Sequence, residues 1–518
     1  MWKSTFWITF CALADILLAF VLQVILAARF GATGVMDAYL VATTIPTLLI
    51  GLLPGALNIC LIPIFVEHAT KGRKEEAFAV SNGVIVLFGL ILGSIVVAGE
   101  LAAFWVIKMV APGFDTARLA ISSDLFRVLL PTVIFYGMAS ILGSVYYAQR
   151  KPFWPALSPV LRVAGMLAGV AIGQRWGIMA LVWGDVLGTG LSLAVLGFNY
   201  LKSGGHRYWQ GLWTPGVRRV MALLLPWLAG FVVSKANPLV ERSLASGLSV
   251  GSITYLGYAS QIVNLVVTVM TKGLALSIFP ILSEKVARQD FDGLREIIGR
   301  GVRGLLMIVV PVIVLVILYG QLGIQVVFER GAFDPAATRG TYLTLLGYLG
   351  ALLALPMGVV ITNTFYAFQD TRTVAGVAII GFITNVALNL VLVQFVKVTG
   401  LAMGYSIAAV INLCILCIIL VRRLGRVYWW NRDVRIAFAG AGLGGALSWL
   451  CVRFATGAFS PIGGVNKMAE ATAVLLVVGT VVFSAIYVLI NYLVGNGEFQ
   501  LAVSTFRTKL GLVHSEVK

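Results

Sequence analysis

The sequence predicts an all-α polytopic membrane protein of about fourteen transmembrane helices, in two parallel six-helix repeats followed by two C-terminal helices. Three observations carry that prediction. The first is composition: 59% of the 518 residues are hydrophobic, 11% are charged, and the mean hydropathy is +0.97. A soluble domain carries about a quarter charged residues, so this balance belongs to a chain that lives in lipid. The second is a succession of apolar runs of about 20 residues, each long enough to cross a bilayer core. The third is internal repetition. CLIPIFVEHA, with Pro63, is echoed by LSIFPILSEKVA, with Pro280, 217 residues later. APGFDTARLA and YYAQRK are echoed by RGAFDPAATR and FYAFQD: Phe114 to Phe333 and Tyr147 to Tyr366 are both 219 residues. Nearly the same offset from separate echoes means a duplicated unit, and an even number of spans per unit makes the copies parallel.

Taken in order, the runs predict spans at 5–28, 36–66, 78–110, 124–148, 156–173, 178–200, 219–245, 252–283, 301–322, 338–368, 373–395, 399–421, 434–454 and 469–494. The first is too long for a signal-peptide core and reads as a span rather than a cleaved leader. Alternate loops are rich in Lys and Arg, such as Lys71/Arg73/Lys74, Arg150/Lys151, Lys202/Arg207/Arg218/Arg219 and Arg422/Arg423/Arg426. The intervening loops carry few cations, which places both termini in the cytoplasm. The net charge of +17 belongs to this loop bias and not to nucleic-acid binding. Repeats and loops divide the chain into residues 1–215, 216–430 and 431–518. The charged stretch 285–300 is expected as a short helix along the membrane surface.

Function is sought among polar groups at membrane depth, because burying a charge there costs several kcal/mol and marks cavities or partners. The stretch from Pro226 to Pro280 carries Lys235, Glu241, Arg242 and Lys272. Lys235 and Arg242 are seven residues apart and share a helix face, so they form a candidate anion site; the alternative is an internal ion pair with Glu241. Asp15 and Asp37 are candidate coupling or gating groups, since a carboxylate in a low dielectric can carry a proton. Asp37 can equally be a helix-start residue facing a positive dipole end. Glu100, Lys108, Arg162 and Asp185 read as interface residues or local pairs. Asn385 and Asn389, one helical turn apart, join Glu241 as a candidate cation site of hard oxygen ligands, or else hydrogen-bond between helices. Pro46, Pro54 and Gly55 interrupt the second span as hinges or static bends. Cys414-x-x-Cys417 lacks a second ligand pair, so no metal or redox role is read from it. There is no phosphate-cradling GxxxxGK[ST] loop, so no cofactor is expected. Any transport is driven by an Na+ or H+ gradient, the membrane potential or the substrate gradient.

Several stretches together resemble the MurJ/MviN family of lipid II flippases, within the multidrug/oligosaccharidyl-lipid/polysaccharide exporter superfamily. They are ARFGATGVMDAYLVA (28–42), IPIF (62–65), APGF (111–114), PALSP (155–159), PGVRRVM (215–221), LASGLSVGSITYLGYA (244–259), FPILSE (279–284), FERGAFD (328–334) and FYAFQDTRT (365–373). The resemblance implies fourteen helices in two six-helix lobes plus a C-terminal pair, and outward flipping of an undecaprenyl-pyrophosphate-linked glycan in the bacterial inner membrane by alternating access. The implied partners are that glycan, membrane lipids and envelope-synthesis proteins. The sequence departs from the family pattern at Leu22 and Gln23, where the family carries an Arg-Asp pair. It departs again at Ile50 and Gly51, where the family carries basic residues, and at Gln261 and Asn264, where it carries an Arg and a Glu. Asp37 is retained. The implied cargo contacts here are therefore Arg242, Lys235 and Lys272, with Gln261 and Asn264 at the substituted positions. Lipid II is the cargo implied; an exopolysaccharide or O-antigen repeat unit, a cation-coupled drug exporter and a transport-dead scaffold are the alternatives.

Overall fold

The computed structural model describes residues 2–224, 236–459 and 465–500. The described chain is helical throughout. Its long helices are α1 (Trp2–Phe30), α2 (Gly34–Ala42), α3 (Thr44–Thr70), α4 (Lys74–Val110), α5 (Thr116–Ala148), α6 (Phe153–Ile172), α7 (Ile178–Lys202), α8 (Asn237–Ser246), α9 (Ser252–Ala287), α10 (Phe291–Phe328), α11 (Pro335–Gly347), α12 (Leu349–Ala367), α13 (Thr371–Leu424), α14 (Arg432–Phe459) and α15 (Val465–Leu493). Among the described residues, twelve helical stretches are long and apolar enough to cross a membrane, counting α2 with α3 as one. One of them, α13, holds two of the expected spans: Lys397 breaks it with φ 54° and ψ −131°. The expected span 219–245 falls partly on 225–235, outside the described residues; its end is α8.

Local chemistry explains the breaks. Pro46 has no N–H to give the carbonyl of Ala42, and the helix is interrupted at Thr43. It then runs through Pro54 and Pro63 without a break, so of the two expected bends in this span only the first interrupts the helix. Loop carboxylates start four helices: Asp115, Asp290, Asp334 and Asp370 accept from the backbone N–H of Arg118, Gly293, Ala337 and Thr373. The expected surface helix over 285–300 is instead the end of α9, a turn with Gln289 at φ 57°, and the opening of α10. The Asp290 cap restarts a helix whose apolar face is continuous with the span.

The chain forms two compact units, residues 1–254 with 330–333, and residues 255–329 with 334–518. The units divide after Thr254, whereas the sequence repeats divide at 215/216, because α8 and the turn after it pack in the first unit. In that unit α5 is the central helix and packs on α2, α3, α4, α6 and α7. Helices α6 and α7 cross closely through Gly165 and Gly188; a Cβ on Gly165 would lie 2.5 Å from the Gly188 Cα. The echoed loops are exchanged here. Gly113 N–H donates to Ser246 Oγ at 3.0 Å, and Ala332 N–H donates to the Ala28 carbonyl at 2.7 Å. Gly31 is required at the second contact: its φ is +55°, and a Cβ would sit 2.0 Å from the Ala332 oxygen.

In the second unit α10 packs on α11, α12, α14 and α15. Its core includes Ile278, Leu305, Val360, Phe365, Leu420 and Phe483. The two C-terminal helices are fastened to it by polar groups as well: Tyr487 OH donates to the Met307 carbonyl at 2.8 Å, and Tyr319 OH and Ser448 Oγ share a hydrogen bond at 2.5 Å.

Candidate functional site

Polar side chains gather inside each unit. In the first, Asp37 lies in the opening turn of α2 with 1% of its surface exposed. Its carboxylate accepts from Gly251 N–H (2.6 Å), Thr254 N–H (2.9 Å) and Thr254 Oγ1 (2.7 Å). These donors open α9, so Asp37 caps a helix 217 residues away and meets its positive dipole end.

Arg242, on α8, donates through Nη1 to the Leu40 carbonyl and to Thr44 Oγ1. The same carbonyl also accepts from Thr43 and Thr44 hydroxyls. The guanidinium thus covers the C-terminal end of α2, where a cation is electrostatically favoured. Glu241 and Tyr39 are electrostatic neighbours of it.

Arg162 on α6 and Asp185 on α7 form a two-point ion pair, with Nε–Oδ1 at 2.6 Å and Nη2–Oδ2 at 2.9 Å. Asp185 is buried, and Thr189 Oγ1 adds a third donor at 3.3 Å. The Tyr136 ring centre lies 6.0 Å from the Arg162 guanidinium carbon, and Asp15 of α1 is an electrostatic neighbour of Tyr136. Lys108 lies 5.7 Å from the Trp105 ring centre. Lys235 lies outside the described residues.

In the second unit, Gln261, Asn264 and Lys272 are exposed on α9. Positions 261 and 272 are eleven residues apart, three turns of helix, so the three share a face. A polar face exposed along an apolar spanning helix marks a wet path or a polar ligand, because hydrocarbon does not solvate it.

The asparagines are buried in the same unit. Asn389 Nδ2 donates to Asn385 Oδ1 at 2.5 Å. That bond leaves Asn389 Oδ1, Asn385 Nδ2 and, on the second length of α13, Asn412 Oδ1 without hydrogen-bond partners. Glycines make the room: a Cβ on Gly404 would meet Asn389 Oδ1 at 2.2 Å, and one on Gly381 would meet the Asn412 amide. Unpaired amide oxygens suit a small hard cation. Glu241, named with this pair from the sequence, belongs to the first unit. Among the described residues, no three His, Cys, Asp or Glu side chains cluster as metal ligands.

The sequence reading missed Asn412, Thr44 and Tyr136. Asn412 carries a detectable signal, a lone amide inside an apolar run. Thr44 and Tyr136 carry none.

An all-α chain with many spans, a duplicated unit and polar side chains buried at membrane depth has the architecture of a membrane transporter. Two solved structures share this fold: "Lipid II flippase MurJ, inward closed conformation", with TM-score 0.75, 21% identity and coverage of 93% of this chain and 98% of that one; and an inward-facing multidrug resistance MATE family transporter of the MOP superfamily, with TM-score 0.70, 12% identity and coverage of 79% and 94%. Residues 26–493 match the family described as lipid II flippase MurJ, and the chain belongs to that family. Among its relatives are the probable lipid II flippase MurJ of Vibrio cholerae, 26% identical over 94% of this chain and 96% of the relative, and that of Rhizobium tropici, 24% identical over 96% and 95%.

Proposed function

We propose that this protein moves undecaprenyl-pyrophosphate-linked lipid II, the precursor of peptidoglycan, from the inner to the outer leaflet of the bacterial inner membrane by alternating access. Membership of the lipid II flippase family across residues 26–493 carries the reading. The alternation of Lys- and Arg-rich loops supports cytoplasmic termini. The face of α9 bearing Gln261, Asn264 and Lys272 supplies polar contacts for a headgroup, with Lys272 as a cation for its pyrophosphate; Arg242, in the other unit, is the second cation named from the sequence. Arginine suits phosphate through its two-point fork; Arg242 keeps only the donors not engaged by Leu40 and Thr44. Lys235 completes the cation set on the sequence reading. Asp15 and Asp37 are the candidate coupling groups, and the unpaired amide oxygen of Asn389, beside Asn385, is the candidate Na+ ligand.

The test is complementation of a strain depleted of its own lipid II flippase, with wild type and Lys272→Ala at equal membrane levels. Rescue by wild type establishes the cargo, and loss of rescue in the variant assigns the α9 face to it. Failure of a well-inserted wild type to rescue removes lipid II and leaves another lipid-linked glycan.

A further inference from the structure

The loop between α7 and the helical stretch over 215–224 is built more firmly than a connection requires. Asn82, buried on α4, donates to the Gly205 carbonyl (2.9 Å) and the Tyr208 carbonyl (2.6 Å), and accepts from Tyr200 OH (2.8 Å). Tyr208 stacks on Phe78, with ring centres 5.9 Å apart. The next helix is seated against α4 by Val217 and Val220, both fully buried. At that contact a Cβ on Gly83 would come 2.7 Å from Val217.

This rigid platform holds apolar and cationic groups outward. Trp209 and Trp213 are 52% and 60% exposed. Trp213, Thr214, Pro215, Arg218 and Arg219 line an open hollow of about 430 Å³. Arg219 reaches Glu67 Oε2 at 2.8 Å, but Glu67 is already bonded through Oε1 to Lys71 at 2.7 Å. Arg218 is exposed and has no ion-pair partner among the described residues. The hollow therefore faces out with uncompensated positive charge beside an exposed indole. It stands one loop from the end of a membrane-spanning helix, at the level where Trp rings prefer the headgroup region.

We propose that this hollow docks the phosphate of an anionic phospholipid headgroup, with Arg218 as its cation and Trp213 as the anchor lying along the glycerol and upper acyl chain. Charge selects the occupant: a free cation attracts the anionic lipid of a mixed leaflet over the zwitterionic one, at about fivefold in occupancy per arginine. The indole selects a lipid over a soluble anion, which gains nothing from it.

The test uses full-length protein incorporated in bilayer nanodiscs of phosphatidylglycerol and phosphatidylethanolamine. Lipids retained after extraction are counted by native mass spectrometry. Wild type is expected to retain phosphatidylglycerol preferentially. Arg218→Gln is expected to lose about fivefold of that retention, and Arg218→Lys to keep most of it. Trp213→Ala is expected to weaken retention of both lipids. Arg175→Gln, the same charge loss at an exposed position between α6 and α7, is expected to change nothing. Each variant's melting temperature is taken alongside and is expected to stay at the wild-type value, because none of the substituted side chains is buried. Equal retention of the two lipids by wild type, or unchanged phosphatidylglycerol retention in a normally melting Arg218→Gln, overturns the proposal. So does an equal loss in Arg175→Gln.

Discussion

The polar interiors of the two units solve opposite problems. In the first, charged groups are matched: Asp37 meets three donors, Asp185 meets Arg162 and Thr189, and Arg242 meets a helix end. In the second, neutral amides are buried with oxygens left over, at Asn389 Oδ1 and Asn412 Oδ1; the first also leaves Asn237 Oδ1 and Gln149 Nε2 unpaired, beside its matched charges. A buried charge is tolerated only when matched, whereas an unpaired amide oxygen costs about 1–3 kcal/mol and can be carried until a ligand fills it. The first arrangement therefore holds helices in place, and the second is suited to receiving something.

The comparison is broken most forcefully at the ion pair. Asp185→Ala leaves Arg162 without its partner and is expected to destabilise the protein by about 3–5 kcal/mol, read as a fall in melting temperature. The double variant Arg162→Leu/Asp185→Leu should recover most of that loss; if it does not, the pair does more than match charges. Asp37→Asn keeps the side chain's shape but replaces one accepting oxygen by a donor facing N–H groups. It is expected to cost about 1.5–3 kcal/mol for each charge-assisted bond lost, and Asp37→Glu to fail to restore it because the capping geometry is short.

On the second unit, sodium chloride against choline chloride is the sharper instrument. Sodium that binds only the folded form stabilises by about 2.7 kcal/mol at one hundred times its dissociation constant. The expected result is a sodium-specific rise in melting temperature that disappears in Asn389→Leu. A wild type indifferent to sodium would assign the asparagines to helix packing.

The smallest effect lies in the loops. The Lys285 ammonium and the Gly293 N–H hold the exposed Asp290 carboxyl below the usual carboxylate range, and the Thr373 backbone and hydroxyl do the same for Asp370. A depressed folded value means the contribution is present above the unfolded value of about 3.9 and is lost as pH falls through the folded one. Melting should be insensitive to these groups from pH 7 to 5 and decline below about pH 4. In Asp370→Asn that acid-side decline should be shallower.

Spans and loops were legible because hydropathy and loop charge are written along one dimension, and the bilayer turns them directly into position. The spacing of Asn385 and Asn389 was legible for a related reason: helical periodicity converts sequence distance into a shared side. Gln261 and Asn264 were named only through the family resemblance, and the face they share with Lys272 appears in the structure. What Arg242 touches was not, because Leu40 and Thr44 are 202 and 198 residues away in sequence. The stretch 285–300 misled because its charges suggest a surface helix, while the apolar period that joins it to α10 begins inside it. Asn412 was overlooked because no second amide lies at helical spacing from it; its setting comes from Gly381 on the other length of α13.

The bonds between Asp37 and Thr254 also bear on how the protein is made. Thr254 is the residue that stands 217 positions after Asp37, the same interval that separates Pro63 from Pro280, so the duplicated halves meet at matching positions. At ribosomal speeds of about 5–20 residues per second, the first half waits on the order of ten to forty seconds before those donors are synthesised, and longer for Ala332. During that interval Asp37 and the end of α1 lack their native partners, which exposes the nascent chain to chaperones and membrane proteases. A chain divided into two co-expressed pieces is accordingly expected to reassemble better when cut after Thr254 than when cut after Pro215, where the repeats divide.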